Sequence, residues 1–87
     1  MRLITKYNPP TPESLEKLKN GLGYTGTQMA DLAGVASNSQ WRKYTCGVAP
    51  RAMSQHILFY IASQLVLSEN ELNLIVEKMK FLSAEIE

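Results

Sequence analysis

The sequence is short of the residues that most active-site chemistry requires. Among 87 residues there is one cysteine, one histidine and one tryptophan. A lone Cys46 excludes an internal disulfide and a four-ligand zinc site. It also suits a reducing compartment, so the chain is expected to be cytoplasmic. His56 has no Ser–His–Asp or Cys–His pattern around it and is read as packing beside Phe59 or Tyr60. No metal-ligand spacing, phosphate loop or nucleophile constellation occurs, which argues against an enzyme and implies no cofactor, no metal and no small-molecule effector. No apolar run approaches the roughly 18 residues of a membrane span. The first ten residues, MRLITKYNPP, lack the long apolar region of a signal peptide.

Acidic residues are missing from the middle of the chain. Between positions 32 and 68 there are Arg42, Lys43 and Arg51 and no Asp or Glu, whereas positions 69–87 hold five Glu against Lys78 and Lys80. The net charge of +1 therefore hides a basic middle and an acidic tail. Three cations are few for a nucleic-acid binder. Even with Arg2 and Lys6 added, one copy would hold DNA weakly, and two copies would be needed.

Chain length fixes a single small domain whose core alone is marginal. Residues 1–10 read as an arm, held extended by Pro9, Pro10 and Pro12. Its expected role is to pack Leu3, Ile4 or Tyr7 on the core, in preference to running Arg2, Lys6 and Tyr7 along a DNA groove. Helix 1 is predicted from Pro12 to about Asn20, with Thr11 as N-cap, Pro12 at the first helical position, and Gly21 and Gly23 as stops. Leu15, Leu18 and Leu22 point inward. A helix from about Pro50 to Leu67 is apolar on most sides and belongs in the core or an interface. A last helix starts at Ser68, where Glu71 completes a capping box. Its stripe, Leu72, Ile75, Val76, Met79, Leu82 and Ile86, either closes the core or forms a subunit seam, with Leu74 and Phe81 off it.

The informative stretch is TGTQMADLAGVASNSQWRKYTCG, positions 25–47. Thr25 and Gln28, then Ser37 and Gln40, are two capping-box spacings, and Gly34 between them permits a left-handed turn. The first helix would bury Met29, Ala30, Leu32 and Ala33. The second, Asn38 to about Tyr44, would bury Trp41 and Tyr44 at i, i+3. At about 100° per residue, Ser39, Arg42 and Lys43 centre the opposite face, flanked by Asn38 and Gln40. Such side chains hydrogen-bond base edges and phosphates. The residues alone leave two readings open, a solvated polar face or a DNA-reading one. Cys46, just beyond, is expected to be a structural thiol.

This stretch, with the helix before it and the apolar helix after it, resembles the Cro/C1-type (XRE-like) helix-turn-helix family. The resemblance covers about residues 11–67 and rests on Ala30, Gly34 with Val35, the Trp41–Tyr44 pair and the closing Gly47. Two positions depart from the family pattern. Ala36–Ser37 lengthens the turn by one residue, and Gly26 stands where a Gln usually opens the second helix, with Gln28 two residues on. The family consists of small all-helical DNA-binding proteins, many of them repressors of phages, plasmids and other mobile elements. The resemblance implies an all-α, five-helix, lambda-repressor-like bundle with a central helix-turn-helix (residues 11–67). Residues 68–87 then supply core closure or dimerisation.

The function it implies is sequence-specific binding of double-stranded DNA, as a homodimer on an inverted repeat. Ser37, Asn38, Ser39, Arg42 and Lys43 would contact bases, and Thr27, Gln28, Thr45 and Arg51 phosphates. A transcriptional regulator of this length, with no effector domain, is expected to repress by occupying a promoter. The competing reading is a phage or plasmid module that uses the same fold to bind a host protein.

Overall fold

Five Ser or Thr hydroxyls and one proline decide where the helices of this all-α chain begin. The computed structural model describes residues 1–87 and contains five helices: α1 Pro12–Leu22, α2 Gly26–Ala33, α3 Asn38–Thr45, α4 Gln55–Val66 and α5 Glu69–Phe81. Thr11 caps α1, with Pro12 in its first turn. Thr25 caps α2 in a complete box: its hydroxyl accepts the Gln28 N–H and the Gln28 side chain accepts the Thr25 N–H at 2.8 Å. Ser68 and Glu71 form the same box at α5. At α3 only half of the expected box forms. Ser37 accepts the Gln40 N–H at 3.4 Å, and Gln40 does not return the bond.

Two helix limits differ from the pattern-based expectation. Helix α1 runs to Leu22, not Asn20: Gly21 stays helical, and Gly23 at φ 68° ends the helix. A single glycine weakens a helix without ending it, whereas a left-handed residue must. Helix α4 starts at Gln55, five residues after Pro50, because Ser54 takes the cap and accepts the Ile57 N–H. Residues 50–54 stay non-helical. Their backbone is used elsewhere, with the Arg51 N–H donating to Lys43 O at 2.7 Å and Met53 buried at 2% exposure.

The core is small. Leu15, Met29, Ala30, Ala33, Trp41, Tyr44, Met53 and Ile61 are its buried members, with Leu18, Leu22, Leu32, Ile57 and Leu58 packed around them. Helix α2 packs against both α3 and α4, and α1 packs against α3. Gly34 closes α2 at φ 71°, and a Cβ built there would sit 3.0 Å from the Tyr60 ring, so the α2–α3 turn lies directly on α4. The Gln64 amide of α4 adds two bonds, donating to Leu32 O at 2.7 Å and Tyr60 O at 3.0 Å.

Helix α5 stands apart from this arrangement. It buries no side chain, so its apolar stripe does not close the core. With α4 it forms an open groove of about 420 Å³, lined by Phe59, Tyr60, Leu72, Ile75, Val76 and Met79 among others.

Candidate nucleic-acid interface

Helix α3 is oriented by its two aromatic residues. Trp41 (1% exposed) and Tyr44 (6%) are buried, with ring centroids 6.5 Å apart at a tilt of 56°. Anchoring that face turns Ser39, Arg42 and Lys43 to the outside, and all three are exposed. Asn38, Ser39, Arg42 and Lys43 line one shallow depression with Cys46 and Gly47. On the other flank of α3, Asn38, Arg42 and Thr45 line a second depression with Glu16 and Lys19 of α1.

The N-termini of α2 and α3 lie side by side. A Cβ on Gly26, the first residue of α2, would collide with Oδ1 of Asn38, the first residue of α3. The missing side chain at Gly26 is therefore the space that Asn38 occupies. The first N–H groups of a helix have no partner inside it. Capping satisfies Gln28 and Gln40, while the Gly26, Thr27, Asn38 and Ser39 N–H groups make no hydrogen bond within the chain. Two positive helix ends with free donors thus meet at one edge of α3, an arrangement that favours an anion.

The cations nearby are unpaired. The one ion pair of the chain joins Lys80 to Glu77 at 3.6 Å on α5, so Arg42, Lys43 and Arg51 have no carboxylate partner. Arg51 reaches α3 through its backbone bond to Lys43 O, and its residue is exposed.

The remaining expected contacts are distributed differently. Ser37 is occupied as the α3 cap. Thr27 is exposed in the first turn of α2. Gln28 lines a third depression with Tyr24, Asp31, Leu32 and Gln64, to which α3 contributes nothing, and its side-chain carbonyl is taken by the cap.

Two features escape sequence reading. The acid-free run from 32 to 68 is not acid-free in space, because Glu16 borders the α3 surface beside Arg42. Only the α1–α3 packing places it there, and no local pattern encodes that. Cys46 is exposed, not a core thiol. The helix ends at Cys46 in an extended conformation, which carries the side chain out of the core. Its pKa is lowered, first by the Thr45 hydroxyl and then by Arg42, with desolvation and then the Glu16 charge opposing.

Neither a family model, nor a curated protein, nor a solved structure matches this chain.

Proposed function

We propose that this chain binds double-stranded DNA in a sequence-specific manner and acts as a small dimeric transcriptional regulator, a repressor of the Cro/C1-type (XRE-like) helix-turn-helix kind. One observation carries the reading. A short helix is locked by a buried Trp41–Tyr44 pair so that its opposite face offers Asn38, Ser39, Arg42 and Lys43, all exposed and free of carboxylate partners.

The roles follow from side-chain chemistry. Arg42 or Lys43 pairs with guanine N7 and O6, and Asn38 with adenine. Ser37 and Ser39 complete the major-groove contact. The free N–H groups at the start of α2, with Thr27, Gln28, Thr45 and Arg51, hold the sugar-phosphate chain and set register. Glu16 repels a backbone that approaches α3 from the α1 side, which restricts the docking angle. Occupying a promoter is enough to repress it.

A gel-shift titration against the DNA upstream of the chain's own coding sequence, at two salt concentrations with scrambled competitor, tests this. A specific, salt-dependent shift is expected, and Arg42→Ala is expected to weaken it by about 1–3 kcal/mol. A folded Arg42→Ala variant with undiminished affinity removes Arg42 from the interface. No specific shift at low salt, together with salt-insensitive capture of a host protein, favours the interaction-module reading instead.

A further inference from the structure

The N-terminal arm carries two cations that the interface above leaves unused. Arg2 and Lys6 are exposed, and neither has a carboxylate partner. Residues 1–12 contain no acid. Packing holds only part of the arm: Ile4 and Tyr7 are half-buried, whereas Leu3 is 82% exposed.

One long-range bond fixes the arm's position. The Tyr7 hydroxyl donates to Met53 O at 2.6 Å, across 46 positions of sequence. Met53 is a core residue, so its carbonyl is a firm anchor. Two residues earlier the Arg51 N–H holds Lys43 O of α3. A path of contacts therefore runs from the arm through Met53 and Arg51 to the backbone of α3 at Lys43. Pro9 and Pro10 stiffen the stretch between this anchor and α1. An untethered terminus would have to be ordered on binding, at an entropic cost for each residue fixed. The Tyr7 bond removes much of that cost for Lys6, its neighbour.

We propose that the arm belongs to the DNA interface: Arg2 and Lys6 neutralise backbone phosphates next to the segment contacted by α3, and Tyr7 is the positioning residue that aims them. This rests on the DNA-binding reading and adds two phosphate contacts to each copy. Phosphate contacts release condensed counterions, so each one steepens the salt dependence of affinity by nearly one unit.

Fluorescence anisotropy with a labelled mixed-sequence duplex, titrated across a salt series, tests it. The full chain is compared with Arg2→Ala/Lys6→Ala, Tyr7→Phe and the triple variant. The double variant is expected to flatten the plot of log affinity against log salt by about two units per bound copy. Tyr7→Phe is expected to flatten it partway, and to have no further effect once Arg2 and Lys6 are gone. A Tyr7 role confined to stability would lower affinity equally in both backgrounds, which overturns the positioning assignment. A double variant with an unchanged slope, alongside Arg42→Ala that loses specific binding, overturns the arm proposal and leaves the DNA reading intact. A full chain that binds no duplex overturns both.

Discussion

Gly34 and Cys46 show how single residues tie the α3 surface to its surroundings. Gly34 is doubly constrained: it sits at φ 71°, and its missing Cβ leaves room for the Tyr60 ring at 3.0 Å. Gly23 has nearly the same backbone, φ 68°, but its Cβ would meet nothing. Ala at Gly23 is therefore expected to cost only the left-handed penalty, about 1–2 kcal/mol. Ala at Gly34 is expected to cost more than that, because the ring of Tyr60 must also move. Urea denaturation of both variants measures the difference; equal losses would mean that Tyr60 yields freely and that the turn does not lean on α4. Cys46 is the reverse case, a residue whose setting could not be guessed. Its thiolate is favoured by the Thr45 hydroxyl and by Arg42, neighbours that meet it only because α3 ends where it does.

At the scale of the element, caps were the legible part of the sequence and partners were not. Thr25–Gln28 and Ser68–Glu71 close as their spacing predicts, since a capping box is local and needs nothing beyond four residues. The start of α4 could not be read in the same way. Pro50 is a valid first helical residue, and it lost to Ser54 because Arg51 and Met53 are held by α3 and the core. The α5 stripe was visible as a helix face, but periodicity does not say what the face meets. The arm was expected to pack Leu3, Ile4 or Tyr7; Ile4 and Tyr7 are half-buried while Leu3 is exposed, and the Tyr7 hydroxyl bond to a distant carbonyl is the part that periodicity does not show.

The α5 cap also makes a pH prediction. The Glu71 carboxyl accepts the Ser68 N–H at 2.8 Å, and that bond, with the Ser68 side chain second, lowers its pKa below the ordinary carboxylate value. The folded group titrates below the unfolded one. Its stabilisation of α5 is therefore complete above the unfolded pKa and disappears as pH falls through the folded one. Amide hydrogen exchange in the first turn of α5 is expected to gain protection over that interval as pH rises, after correction for intrinsic exchange. Glu71→Gln keeps an acceptor at the cap and should abolish the dependence. A dependence that persists in Glu71→Gln would assign it to another group.

The whole molecule buries few of its side chains. Eight of 87 residues are buried, and the radius of gyration is 14.3 Å, where about 12 Å is typical of this length. Helix α5 buries no side chain, and much of the exposed apolar surface lies on α4 and α5. Phe59, Tyr60, Val66, Leu74, Ile75, Met79, Phe81 and Leu82 are all between 43% and 79% exposed. An apolar face of this extent marks an interaction surface. On the proposed DNA-binding reading the occupant is a second copy, because the few cations of one chain neutralise few phosphates and a symmetric pair doubles them. A standard interface takes about 800 Å² from each partner, roughly an eighth of the 6751 Å² this chain exposes. Ile75 lines the α4–α5 groove without belonging to the core, so Ile75→Glu places a charge in the seam and leaves α1–α4 folded. Sedimentation equilibrium is expected to give twice the chain mass for the wild type and the single-chain mass for Ile75→Glu, with circular dichroism of the core unchanged. Val48→Glu, at an exposed loop position outside that groove, should leave the mass as it was. The gel-shift affinity of Ile75→Glu should fall along with the mass, since each copy then binds a half-site alone. A wild type that stays monomeric at every concentration would remove the subunit seam, and with it the account of how so few cations hold an operator.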